Sequence, residues 1–373
     1  MVEIAEVKTR RQRKDFAEFP LKLYKNCEYY VPDIYGDIKE FFKKPNVYEG
    51  IAEATCFNAY RNGKQVGRIA AVLPISVNKK CNQKRIRFTR FDCVDDIEVA
   101  TALFDAVRDF GIKNGMTEMV GPLGFSDLDK QGMLVEGFDQ MSTFSELYNY
   151  EYYKKLTESY GFVKDIDWVE RQLRLPKEEN PRYRELSDKV LSYNNLHIAE
   201  CKSIKDFIKR YKDQFFDVFE ETYSDLYGVP EFTDKMKQNL VSSFTMITDT
   251  KHAGVIVDEN DRVVAFGICF PSIAKSLRDV KGKLFPFGFV KVLHEAKHPT
   301  VIELGLVGVR REYQMRGVAS VIVAKILDML KEPDIEYAET NQNLEDNTKI
   351  QNQWKAFDAI LNKRRRVFVK SIE

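Results

Sequence analysis

Six residues late in the chain, Gln314, Met315, Arg316, Gly317, Val318 and Ala319, have the types and spacing needed to grip an anion. The run before them (301–309, VIELGLVGV) reads as a buried strand, and the run after them (318–330, VASVIVAKILDML) reads as an apolar helix. A strand, a basic glycine-containing turn and a helix start make a ready anion site. The first helical turn offers backbone N–H groups without internal partners, the helix dipole adds positive potential, and Gly317 lets the backbone approach the ligand closely. A pyrophosphate fits there, with Arg316 inside the turn as a charged donor. Eleven residues before Gln314, on the strand itself, stands Glu303. A carboxylate on an otherwise apolar strand is costly unless it is solvated, paired or used, which makes Glu303 the candidate base. Strand alternation predicts Glu303, Gly305, Val307 and Val309 on one face.

The elements around these residues repeat. In the first half, 52–60 and 66–77 read as strands about the hairpin signal Asn62-Gly63. A strand at 85–93, a helix at 97–114, a strand from Met116, a long loop, a helix around 148–159 and a closing strand complete it. In the second half, strands at 253–258 and 262–270 lead through a long loop (270–298) to the strand at 301–309 and the helix at 318–330. A strand at 335–340, a helix from Asn347 to about 361 and a strand at 366–370 end it. Two such cycles predict two α/β domains of one kind with a mixed sheet, spanning 1–176 and 197–373, joined by a polar linker with one short helix at 177–196.

The turn spells the Gln/Arg-x-x-Gly-x-Gly/Ala signature of the GNAT superfamily of acyl-CoA-dependent N-acyltransferases, and the chain as a whole resembles a tandem, two-domain bacterial GNAT protein. The resemblance implies that 314–319 hold the pyrophosphate of acetyl-CoA or another acyl-CoA. It also implies that the backbone of Leu306, Val307 and Val309 pairs with the pantetheine arm and that Asn347 opens the last helix of the cofactor fold. Some relatives place a catalytic glutamate at the offset of Glu303. The implied activity is transfer of an acyl group to a small-molecule or peptide amine by direct attack on the thioester. Where many relatives carry a tyrosine as general acid, this chain has Trp354. A CoA-binding protein without catalysis, and an aminoacyl transferase using charged tRNA, are the alternative readings. The first half keeps Asn149, Tyr153 and Gly161-Phe162 of the pattern, but its turn reads Val94-Asp95-Asp96-Ile97. Two carboxylates there serve as helix caps and repel a diphosphate, so that half reads as a copy that lost its cofactor.

Composition sets the frame. The chain has 373 residues, 44% apolar and 31% charged, and its 58 basic and 57 acidic residues nearly cancel. Neither a nucleic-acid nor a membrane partner is expected from that balance. The basic run 363–366 precedes VFVK and reads as the charges of an edge strand. Six scattered cysteines and four histidines show no metal-ligand spacing, so no metal is expected, and reduced thiols suit a cytoplasmic protein.

Overall fold

The computed structural model describes the chain apart from Lys44, Glu179 and Asp225 and the side chains of Glu40 and Phe244. The first half begins with β1 (Glu3–Glu6), α1 (Arg10–Leu23) and α2 (Tyr35–Ile38), followed by the hairpin β2 (Glu53–Arg61) and β3 (Lys64–Leu73). It continues through α3 (Ile75–Cys81), β4 (Arg85–Cys93), α4 (Ile97–Lys113), β5 (Glu118–Gly121), β6 (Met133–Glu136), α5 (Tyr152–Ser159) and β7 (Val163–Arg174). After α6 (Arg182–Tyr193) come β8 (His197–Ile198), α7 (Ile204–Tyr223), α8 (Asp234–Ile247), β9 (Ala253–Val257) and β10 (Val263–Pro271). Then follow α9 (Ala274–Asp279), α10 (Gly288–Lys297), β11 (Val301–Val309), a 3-10 turn (Arg311–Arg316) and α11 (Ala319–Met329). The chain closes with β12 (Tyr337–Glu339), β13 (Asn343–Leu344), α12 (Thr348–Gln353) and β14 (Asp358–Ser371).

Local chemistry explains many of these boundaries. Asn62 and Gly63 both take positive φ (50° and 74°), as a two-residue hairpin turn of type I′ requires. Asp96 caps α4, accepting from the amides of Glu98 (2.9 Å) and Val99 (3.2 Å), and is itself bound by Arg61. Two expectations, on the segment 270–298 and on the closing helix and strand, need correction. The segment 270–298 is not an open loop, because α9 and α10 fold within it and bury Leu277 and Val292 against Val31. The linker helix α6 packs on α11, joining Val190 to Val318 and Val321 in one apolar cluster. The last helix stops at Gln353, and the final strand starts at Asp358, well before 366.

Among the described residues, fourteen strands join one mixed sheet, in the main order β1-β2-β3-β4-β5-β14-β7-β12-β11-β10-β9-β8. Among the described residues only β4 with β5 and β11 with β12 run parallel, each pair bridged by a crossover helix, α4 or α11. The closing strands are exchanged. β14, from the second half, pairs with β5 of the first (Phe368 opposite Gly121). β7, from the first half, pairs with β12 of the second (Leu173 opposite Ala338). The two exchanged strands lie side by side, antiparallel, from Asp358 opposite Arg174 to Val369 opposite Val163.

The basic run 363–366 therefore sits mid-sheet, not at an edge, and alternation sends its charges to both faces. Lys363 and Arg365 are buried (1% and 0% exposed). Lys363 Nζ meets Glu339 at 2.5 Å, Glu170 at 3.0 Å and Glu146 at 3.2 Å. Arg365 binds Glu170 at 2.5 Å and Glu146 at 3.2 Å. On the opposite face Arg366 binds Asp167 at 2.8 Å and Arg364 binds Glu345 at 2.6 Å. Replacing Lys363 by Met should leave Glu339 buried without a cation, leave Glu170 and Glu146 to Arg365 alone, and cost about 3–5 kcal/mol. Equilibrium unfolding in urea would measure the loss, and a loss below about 1 kcal/mol, the level of an exposed pair, would show that the cluster does not hold the seam.

Candidate functional site

β11 and β12 pair only over Val301–Glu303 with Tyr337–Glu339, then diverge. From residue 304 onward the flank of β11 that faced β12 has no strand beside it among the described residues. At the inner end of this opening lies Glu303, 3% exposed, next to Glu339 in the parallel register. Glu303 Oε1 accepts a hydrogen bond from Ser272 Oγ (2.7 Å), the residue just past β10. Its Oε2 is buried and makes no hydrogen bond among the described residues. Burial pushes the Glu303 carboxyl up to about 8. The Ser272 hydrogen bond and Lys363 oppose that rise, while Glu339 and Glu146 add to it.

A bulge corrects the expected face. Leu304 opposes Cys269 and Leu306 opposes Ile268, which leaves Gly305 as the extra residue. Alternation reverses there, so Glu303 shares a face with Leu306 and Gly308 beneath α7, while Val307 and Val309 turn toward α11. The rings of Phe270 and Phe266 lie over Gly305 and Gly308, where a Cβ would come within 2.3 and 2.4 Å of ring carbons. These glycines are thus demanded by aromatic packing.

The open flank of β11 is engaged by two side chains that the sequence reading did not single out. Tyr223, at the end of α7, places its hydroxyl 3.2 Å from both the amide nitrogen and the carbonyl oxygen of Val307. Asn341 Nδ2 donates to Gly305 O at 2.6 Å. The tyrosine hydroxyl is a polar mimic, held at the place where the pantetheine arm was expected to pair. A loop of the first half also reaches this region. Leu128 packs with the cluster containing Phe270 and Leu306, and Gln131 O accepts from Gln342 Nε2 (2.7 Å). Just before Leu128 in this loop, Asp127 has a buried Oδ1 that makes no hydrogen bond among the described residues, and burial lifts its carboxyl to about 6.

At the far end of β11, Gln314, Met315, Arg316 and Gly317 are exposed. Gly317 takes φ 79°, a left-handed conformation that a side chain disfavours. The amides of Gly317, Val318 and Ala319 head α11, where a helix leaves its first donors without internal acceptors. The Arg316 guanidinium lies over the Tyr313 ring, 5.0 Å from its centroid. Arg316 also borders an open cleft of about 660 Å³ with Lys189, Tyr193 and Asn194 at the end of α6. Arg310 is buried, donating to Val263 O (2.7 Å) and pairing with Glu221 (2.9 Å). Asn347 caps α12, accepting from the Ile350 amide at 3.3 Å, away from the turn in sequence. Trp354 is a core residue whose indole donates to Asn343 Oδ1 (2.9 Å).

The first half has no matching turn. Asp96 occupies the head of α4, Asn149 bonds both backbone groups of Leu134 (2.7 and 3.0 Å), and Tyr153 is buried, with its hydroxyl 2.8 Å from that of Tyr24. Its retained pattern residues serve packing.

No protein-family model matches the chain. In sequence it is similar to Protein YghO of Escherichia coli strain K12, 25% identical over 96% of this chain and 93% of that protein. It is also similar to a bacterial ceramide synthase of Caulobacter vibrioides, 25% identical over 84% of this chain and 82% of that one. In structure it resembles a tandem GNAT protein from the clavulanic acid biosynthesis pathway, with a TM-score of 0.60 and 11% identity over 100% of this chain and 99% of that chain. A GCN5-related N-acetyltransferase from Sphaerobacter thermophilus aligns with a TM-score of 0.51 and 10% identity over 99% and 96% of the two chains. With its paired crossovers, its opening at the end of β11 and its glycine turn before α11, the chain has the tandem GNAT fold.

Proposed function

We propose that the chain is an acyl-CoA-dependent N-acyltransferase whose chemistry runs in the second half. One observation carries this reading. A single strand, β11, has an exposed, left-handed glycine turn at one end and a buried carboxyl with a free oxygen at the other. Six residues at about 3.3 Å rise put Val309 on the order of 20 Å from Glu303, which suits a long thioester arm laid along the open flank. The amides at the head of α11 and Arg316 would hold the pyrophosphate, with Lys189 and Tyr193 beside them for the nucleotide end. The co-substrate supplies an activated acyl group and a thiolate leaving group.

Glu303 would take the proton that the acceptor amine must shed, through its free Oε2, while Ser272 fixes the carboxyl's orientation. Trp354 cannot supply a proton to the departing thiolate. Tyr223 can, because its hydroxyl already lies on the open flank of β11, and burial keeps it protonated. The Val307 amide freed when Tyr223 moves would polarise the thioester carbonyl. For the acceptor, the bacterial ceramide synthase relative directs attention to long-chain amino alcohols, the amines acylated in ceramides.

Isothermal titration with acetyl-CoA and a long-chain acyl-CoA tests the co-substrate site. Wild type should bind and Gly317→Glu should not, since it adds a strained, negatively charged side chain to the turn. Absence of wild-type binding to both would overturn the reading. The pH dependence tests the base. Glu303 is the active carboxylate only above its raised value, so kcat/KM should climb with pH and level off above about 8. Glu303→Gln should remove the activity without weakening CoA binding. The same variant should gain stability over wild type as pH rises from about 4.5 to about 8, because only the wild type must then retain a proton or bury a charge. Tyr223→Phe should lower kcat on the order of a hundredfold with KM for acyl-CoA unchanged or reduced, and an unchanged kcat would remove Tyr223 from the mechanism.

A further inference from the structure

The excursion between β10 and β11 carries a feature that acyl transfer does not use. At the tip formed by the α9–α10 connection and α10, Phe285 is 82% exposed, Phe287 78% and Val290 55%. Phe289 and Leu293, four residues apart on one side of α10, are each 40% exposed. The opposite side of α10 is anchored, with Val292 buried against Ile273, Ala274, Leu277 and Val31. The base of the excursion is tied down as well. Gly282 O accepts from the Tyr35 amide (2.9 Å) and Arg278 donates to Glu28 O (2.7 Å). A rigid platform thus holds two nearly bare phenylalanines in water, where contiguous apolar surface signals a partner.

Charge identifies that partner. Residues 275–298 contain six lysines and arginines against two acidic residues, in a chain whose total is +1. Lys281, Lys283, Lys291 and Lys297 are exposed around the aromatic tip. Both acids are already engaged, since Glu295 accepts from the Ser276 amide (2.6 Å) and Asp279 faces Lys291 at 4.0 Å. Aromatic and aliphatic side chains at the tip with lysines behind them match the layering of a bilayer surface, acyl chains beneath anionic headgroups. A second copy of the chain fits poorly, because a two-fold contact through this patch sets lysines against lysines. We propose that α10 and its preceding loop dock the protein onto an anionic lipid surface. The near-neutral charge of the whole chain conceals this local concentration. The excursion starts at Ser272, the partner of Glu303, so the docking element is continuous in sequence with a residue of the candidate site. The proposal stands independently of the acyl-transfer reading.

The test is cosedimentation of the full chain with vesicles of phosphatidylcholine alone and of three parts phosphatidylcholine to one part phosphatidylglycerol. Wild type should bind the anionic vesicles, bind the neutral ones weakly, and dissociate as salt rises. The double variant Phe285→Ser/Phe287→Ser should lower the partition coefficient about tenfold or more. Lys281→Gln/Lys291→Gln should abolish the preference for anionic lipid. Circular dichroism melts should match wild type in both variants, since the residues are exposed. Wild type that fails to bind anionic vesicles, or serine variants that bind as wild type does, would overturn the proposal. So would light scattering that shows a wild-type dimer dissolved by the serine variant without any vesicle binding.

Discussion

Two cations with no access to water hold the centre of this molecule. Lys363 and Arg365 lie mid-strand in the middle of the sheet, and such groups are tolerable only where carboxylates meet them. Those carboxylates come from Glu170 on β7, Glu339 on β12 and Glu146 in the segment before α5. A one-residue slip of β14 would turn Lys363 and Arg365 to the other face, away from all three partners. Register, strand identity and the exchange of closing strands are therefore specified together.

The same cluster sets the electrostatics of the site. Three carboxylates surround two cations, and Glu303 is a fourth carboxyl beside Glu339. Burial and that surplus of negative charge hold Glu303 near neutrality at ordinary pH. The halves divide the labour. The first half caps its own crossover helix with Asp96 and fills its interior with Tyr24, Tyr148 and Tyr153, yet it lends β7, Glu146 and the Asp127 loop to the second.

Much of this was legible in the chain. The strand 301–309, the glycine turn and the start of α11 follow from apolar runs broken by a basic turn, and the Asn62-Gly63 hairpin and Asp96 cap are local signals that the fold leaves unaltered. Non-local features were not legible. Four consecutive basic residues look solvent-facing until glutamates distant in sequence are brought to them. The bulge at Gly305 depends on how β10 pairs, so simple alternation assigned Val307 and Val309 to the wrong face. Tyr223 reads as one more aromatic in the amphipathic pattern of α7, and only the fold shows its hydroxyl on the backbone of Val307.

The exchange of β7 and β14 also bears on how the protein is made. β5 is complete by residue 121, but the strand that covers it begins at 358. At a translation rate of about 5–20 residues per second, that edge waits on the order of 10–50 s for its neighbour. Through that interval the nascent first half presents an unpaired sheet edge beside Glu146 and Glu170, whose cations have not yet been synthesised. Its cooperative folding is thus deferred until residues 358–371 have been made, a kinetic exposure that many tandem proteins with self-contained domains avoid.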